Sequence, residues 1–217
     1  MNTKLEYLEI IPKKVNNIFI LLHGYGVDAE DLFSVGMRFR DLLPNTAFLS
    51  VNAPWKCEAG SGFQWFSLEN MNLFAILKEI KMASKLLDDF IDEQLKRFSL
   101  ENKNLFLCGF SQGAIISLYN SIRRSEAPFA VLSFSGMMAE TVDTLQNELV
   151  SKPEILLVHG TIDKTVPYSM LQRTEELLRE FDIPYESYSI DGMGHMINDE
   201  AIEHGRNFIK RICNTKN

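Results

Sequence analysis

At 217 residues, 46% of them hydrophobic and 24% charged, the chain has the size and proportions of one larger soluble globular domain with a sizeable core. Its net charge of -7, with lysine and arginine scattered and doubled only in short pairs (Lys13-Lys14, Arg123-Arg124), excludes the basic stripe that a nucleic-acid binder needs. No apolar run nears the roughly 18 residues of an integral membrane segment, and the opening M-N-T-K-L-E-Y-L-E-I-I-P-K-K lacks the unbroken apolar core of a signal peptide.

Strands and helices alternate along the chain. Short apolar runs predict strands at Leu5–Ile11, Ile18–Leu22 and Thr46–Asn52. From Trp55 to Phe74, the residues Trp55, Phe63, Trp65, Phe66, Leu68, Met71, Leu73 and Phe74 crowd a loop with no clean period, broken at Gly60-Ser61-Gly62. Phe74–Phe98 is the clearest helix: Leu73, Ile76, Ile80, Ala83, Leu87, Ile91 and Leu95 recur at steps of three and four, with charged residues opposite. Strands at Asn104–Phe110, Ala130–Phe134, Ile155–His159 and Tyr185–Ile190 then alternate with amphipathic helical segments at Gln112–Arg123, Tyr168–Phe181 and Asn198–Ile212. The central strands are continuous apolar runs, the pattern of strands covered on both faces. The expected fold class is α/β: a single domain over 1–217, with a mostly parallel central sheet of about seven strands and helices on both faces. In such sheets ligands meet the carboxyl ends of the strands. Cys57, Cys108 and Cys213 are widely separated and odd in number, pointing to neither a disulfide framework nor a zinc site. A reduced, cytoplasmic protein is the expectation, with Cys108 a small buried hydrophobe.

The stretch L-F-L-C-G-F-S-Q-G-A, Leu105–Ala114, passes from strand to helix through a serine with glycine two residues away on each side. A strand that turns directly into a helix makes a tight corner, with strained backbone at its tip. Gly109 and Gly113 remove the side chains that would collide there. The Ser111 hydroxyl is left clear at the end of the sheet, as in the nucleophile elbow G-x-S-x-G. A glycine turn with a capping serine would give the same pentapeptide, but the strand before and the helix after favour the elbow.

A serine hydroxyl near neutral pH needs a base to take its proton and a third group to orient that base. The partners are expected in the order Ser, acid, His, each at a strand end. Of the four histidines, His23 lies upstream of the serine, His159 is followed at once by G-T-I-D beside the acid, and His204 sits on the flank of the last helix. His195, in the loop G-M-G-H-M after Tyr185–Ile190, is the expected base. Asp163, four residues past Ile155–His159 in a turn closed by Val166-Pro167, is the favoured acid. Its competitors have simpler explanations: Asp143 caps a helical segment, Asp191 begins the histidine loop and Asp199 begins the last helix. The task of Asp163 would be to fix the His195 tautomer and stabilise the imidazolium. Donors to an oxyanion are expected from the backbone N–H of Gln112, directly after the serine, and of Tyr25, in the H-G-Y-G loop after an early strand.

The segments L-H-G-Y-G-V-D-A-E-D-L, V-N-A-P-W, G-F-Q-W-F-S-L, G-F-S-Q-G, H-G-T-I-D-K-T-V-P and G-M-G-H stand in one order along the chain. Together, over about Ile18 to Ile212, they resemble the phospholipase/carboxylesterase family of α/β-hydrolases, which includes bacterial carboxylesterases and eukaryotic acyl-protein thioesterases. The resemblance implies the α/β-hydrolase fold. It also places Ser111, Asp163 and His195 on the family's catalytic triad, with Tyr25 and Gln112 at its oxyanion-hole positions. The thioesterase branch usually carries aspartate straight after the second glycine of H-G-x-G. Here Val27 holds that place and Asp28 follows, a form more like the bacterial carboxylesterases.

The expected function is therefore a serine hydrolase cleaving carboxylic esters of short to medium acyl chains through an acyl-enzyme, without metal or cofactor. Its substrate would be a small-molecule ester or an acylated molecule. Acyl-protein thioesterase and lysophospholipase are the alternatives among enzymes, and a non-catalytic binding protein on the same fold is the alternative outside them. Trp65, Phe66, Leu68 and Phe74, with the soft side chains of Met137 and Met196, are expected to line an acyl channel. The apolar loop would otherwise be packed core, or the contact of a homodimer.

Overall fold

A computed structural model describes residues 4–69 and 72–215; Met71 lies outside the described residues. In chain order the elements are β1 (Tyr7–Ile10), β2 (Asn17–Leu22), α1 (Ala29–Met37), β3 (Thr46–Val51), β4 (Trp55–Lys56), β5 (Phe63–Gln64), α2 (Leu73–Phe98), β6 (Leu105–Phe110), α3 (Gln112–Ser121), β7 (Ala130–Phe134), α4 (Val142–Glu148), β8 (Glu154–Gly160), α5 (Ser169–Glu180), β9 (Tyr185–Ile190) and α6 (Asp199–Thr215). Seven strands form one sheet in the order β1-β3-β2-β6-β7-β8-β9. Within this sheet, among the described residues, only the β1–β3 pair is antiparallel and the other five pairs are parallel.

The apolar runs of the central strands serve two cores, because successive side chains of a strand point to opposite faces. Ile18, Ile20 and Leu22 of β2 join Leu105 and Leu107 of β6 on the face covered by α2, α3 and α5. Phe19 and Leu21 join Phe106, Cys108 and Phe134 on the face covered by α1 and α6. Phe19 stacks between Phe39, Phe48 and Phe106, with ring centroids 5.2–5.8 Å apart. The helices thus lie on both faces, and the architecture is that of an α/β-hydrolase.

This strand order locates the site. After β2 the chain adds β3 on one side, then crosses to place β6 on the other. Such a reversal opens a crevice at the carboxyl ends of the two strands. The loops that emerge there are H-G-Y-G after β2 and the serine corner after β6.

Several elements depart from the sequence-based expectation. Helix α1 lies in a stretch the apolar pattern leaves unassigned. It is capped by Asp28, which accepts from the Glu30 N–H at 3.0 Å, and it carries Gly36 where a Cβ would fall 2.3 Å from Leu21 Cδ1. A helix pressed that close to the sheet needs glycine on its inner face, which masks the apolar signal. Residues 55–64, expected as an irregular loop, hold a short hairpin pairing Trp55 with Gln64 and Lys56 with Phe63. Two-residue strands are too short to show a period. Helix α3 is buried along all ten residues instead of being amphipathic, since α2 packs over it and Asn120 bonds the Ser84 carbonyl of α2 at 3.2 Å. It ends at Ser121, two residues early. Thr141, not Asp143, caps α4, accepting from the Thr144 N–H at 3.3 Å.

Candidate active site

Ser111 sits at the tip between β6 and α3 with φ 54° and ψ -119°, a conformation that side-chain-bearing residues rarely adopt. The corner is held by backbone packed on backbone. A Cβ on Gly109 would lie 2.3 Å from the Gly113 carbonyl oxygen, and one on Gly113 only 1.8 Å from the Leu22 carbonyl oxygen of β2. The Ser111 N–H donates to the Phe134 carbonyl of the neighbouring strand at 3.0 Å.

The base and the acid arrive from β9 and β8. His195 Nε2 is 2.9 Å from Ser111 Oγ, and His195 Nδ1 is 2.7 Å from Asp163 Oδ2. The Asp163 carboxylate is fully buried, while the imidazole keeps one fifth of its surface open and lies against the Phe110 ring at 4.9 Å. Asp163 Oδ1 accepts from the N–H groups of Thr165 and Val166 at 2.8 and 2.9 Å, so Oδ2 faces the histidine. His159, buried, donates from Nε2 to the Val166 carbonyl at 2.8 Å and closes the same turn. The acid turn is also tied to the histidine loop: the Ile162 N–H donates to the Met193 carbonyl at 3.2 Å. A carboxylate on Nδ1–H leaves the Nε2 lone pair facing the serine, the arrangement of a general base beside its nucleophile.

The competing acids are occupied elsewhere. Asp191 accepts from the Thr161 hydroxyl, and Asp199 pairs with Arg38. His204 stacks on Tyr188 at 3.9 Å.

Gly24 brings the H-G-Y-G loop against the nucleophile, a Cβ there falling 3.4 Å from Ser111 Cβ. Gln112 opens α3, where a helix leaves its first N–H groups without intrahelical partners. Gln112 thus follows Ser111 on one side, and the loop that carries Tyr25 packs against Ser111 on the other. His23 shapes the first of these loops from within. It donates from Nδ1 to the Gly24 carbonyl at 2.6 Å and accepts the Ala53 N–H at Nε2, 3.0 Å away. Burial lowers its pKa against the pull of that Gly24 hydrogen bond, in keeping with a neutral ring that donates on one side and accepts on the other.

The six residues expected to line an acyl channel divide by exposure. Trp65 and Phe66 are packed in the core. Trp65 Nε1 donates to the His23 carbonyl at 2.9 Å. The Gln112 side chain grips the backbone here, accepting the Trp65 N–H at 3.0 Å and donating to the Phe66 carbonyl at 2.8 Å. Both aromatics therefore support the site from behind. Leu68, Phe74 and Met196 are exposed, Phe74 at 82%, and Met137 is half-buried against the same core. The supporting contacts of His23 and of the Gln112 side chain escape a reading of the sequence. The one sequence signal is that His23 is itself the first residue of H-G-Y-G.

The chain matches the Phospholipase/Carboxylesterase family model over residues 5–213. It is similar to carboxylesterase SOBER1 of Arabidopsis thaliana, 25% identical over 209 residues that span 89% of this chain and 90% of the relative. Acyl-protein thioesterase 1 of Kluyveromyces lactis is 24% identical over 212 residues, spanning 90% and 91%. Among solved structures, esterase PE8 superposes with a TM-score of 0.91 at 32% identity, covering 96% of this chain and 99% of that one.

Proposed function

This chain belongs to the phospholipase/carboxylesterase family and is a carboxylic ester hydrolase, and from that premise we propose that Ser111, His195 and Asp163 carry its chemistry. The observation that carries the assignment is the unbroken relay of two hydrogen bonds, 2.9 and 2.7 Å long, from serine to imidazole to carboxylate. As the Ser111 oxygen attacks the ester carbonyl, His195 Nε2 takes its proton. The carbonyl oxygen, now an anion, is held by the Tyr25 and Gln112 N–H groups. His195 then returns the proton to the departing alcohol, leaving an acyl group on Ser111. Water, deprotonated by the same nitrogen, releases the acid.

The acyl chain, of short to medium length, is assigned to Leu68, Phe74, Met137 and Met196, the members of the expected channel that are not packed in the core. Similarity to an acyl-protein thioesterase supports thioesters as the second reading. Use of Leu68 and Phe74 as a homodimer contact is the alternative for that surface, and a sedimentation series over concentration separates the two. Among the described residues no helix is long and apolar enough to cross a membrane. A cytoplasmic setting belongs to the same proposal, supported by three free cysteines.

The test is labelling by a fluorophosphonate probe, followed by hydrolysis of matched oxygen and sulfur esters from acetyl to octanoyl. Wild-type labelling lost in Ser111→Ala supports the enzyme. An unlabelled wild type that hydrolyses none of the panel would instead indicate a binding protein on this fold. Faster turnover of the sulfur series would favour the thioesterase reading.

A further inference from the structure

Between β4 and α2 lies a carboxylate with many donors. Glu58 accepts five hydrogen bonds: from the N–H groups of Leu68 at 2.6 Å and Glu69 at 3.1 Å, the Ser67 hydroxyl at 2.6 Å, the Gln64 amide at 3.1 Å and the Tyr25 hydroxyl at 3.3 Å. Its own N–H donates back to Gln64 Oε1 at 3.0 Å. Among the described residues no Lys, Arg or His stands within ion-pair distance of it. A carboxylate offers about four lone-pair sites, so five donors saturate it. Burial pushes this carboxyl group up, but the hydrogen bonds from Ser67, Leu68, Gln64 and Tyr25 prevail and hold it at about 2. The anion persists wherever an imidazole can work as a base.

What the anion joins is more telling than the number of its bonds. Four donors belong to residues 64–69, whose Trp65 N–H and Phe66 carbonyl are gripped by the Gln112 side chain. The fifth belongs to Tyr25. Tyr25 and Gln112 are the two residues whose backbone N–H groups are assigned to the oxyanion. Glu58 therefore joins a chain of contacts that runs from Tyr25 through Glu58 and residues 64–69 to Gln112.

We propose that Glu58 is a positioning residue for the oxyanion hole, a proposal that rests on the serine-esterase reading above. Its carboxylate couples the Tyr25 loop to the segment clasped by Gln112 and so fixes the spacing of the two N–H donors. Glu58 touches no reacting atom. It acts through the place it gives to Tyr25. A donor lost outright costs about 10²–10³ in rate, and a displaced one costs less, so Glu58→Ala is expected to lower kcat by about 10- to 100-fold.

The test compares wild type with Glu58→Ala, Glu58→Gln and Tyr25→Phe. Tyr25→Phe removes one donor to the carboxylate and keeps the backbone N–H, so it reads the coupling even if Glu58→Ala folds poorly. For each protein, kcat and KM are measured on a butyryl ester, together with the inhibition constant of an alkyl trifluoromethyl ketone. The adduct of that ketone with Ser111 carries an oxyanion, so it reports on the hole. The expected result is a fall in kcat with KM within about threefold, and ketone affinity lost in step with kcat. Tyr25→Phe should show about a threefold to tenfold share of both losses. The proposal is overturned if Glu58→Gln and Tyr25→Phe leave kcat and ketone affinity within twofold of wild type. It is equally overturned if the variants lose melting temperature alone. Failure of the esterase reading looks different, because wild type itself would then neither turn over the ester nor bind the ketone.

Discussion

Two segments hold the surroundings of Ser111 and are built in opposite ways. The corner from Gly109 to Gly113 is fixed by backbone pressed on backbone, with one strained residue at its tip. The segment from Cys57 to Glu69 is fixed by side chains: two buried aromatics, a glutamine that grips them, and a carboxylate with five donors. The first tolerates no added atom, whereas the second is a web in which each bond has a modest worth. Substitutions should therefore act all-or-none in the first and by degrees in the second.

The largest effect is expected at the acid that serves the corner. In Asp163→Asn the two N–H groups of Thr165 and Val166 still require an oxygen, so the amide nitrogen must turn toward His195. His195 Nδ1 then has to accept, its proton moves to Nε2, and the base no longer faces Ser111 with a lone pair. A fall in kcat of about 10⁴-fold follows, with little loss of stability. A loss under tenfold in steady-state ester hydrolysis would show that the carboxylate does not set the tautomer.

Next in size is Gly113→Ala. The added methyl would stand 1.8 Å from the Leu22 carbonyl, an atom of a central strand that cannot turn aside. Overpacking of a core typically costs about 1–3 kcal/mol, and a backbone obstacle places this variant at about 3 kcal/mol or beyond. The urea midpoint measures it. A cost below about 1 kcal/mol would contradict the close-packed corner.

This contrast also explains what the sequence disclosed. A steric demand for glycine leaves a visible mark, which is why G-F-S-Q-G announced the corner and why the strands feeding it could be placed to within a residue or two. Chain order then picked out Asp163 and His195 as the expected partners, and in the structure His195 lies hydrogen-bonded to Ser111 on one side and to Asp163 on the other. Helix α1 stayed hidden because Gly36, needed for close packing against Leu21, interrupts its apolar face. Glu58 stayed hidden for another reason: its five donors are ordinary residues, four of them backbone or hydroxyl groups, and no spacing rule records such a convergence.

Within the second segment the expected effects are smaller. Trp65→Phe keeps an aromatic ring in the core but deletes the N–H that satisfies the buried His23 carbonyl. A polar group left unpaired costs about 1–3 kcal/mol. Thermal unfolding checks this, and an unchanged midpoint would mean that the His23 carbonyl finds another donor.

The smallest expected effect on stability separates scaffold from substrate surface. Phe74 is 82% exposed in the first turn of α2, so Phe74→Ser removes almost no buried area and should change stability by less than about 0.5 kcal/mol. If the ring instead meets the acyl chain, its loss appears only when the chain is long enough to reach it. Covering two or so methylenes is worth about 1–2 kcal/mol, so kcat/KM for an octanoyl ester should fall by about 5- to 30-fold while that for an acetyl ester stays level. Equal changes for both esters would remove Phe74 from the acyl surface and leave its exposed ring to a homodimer contact.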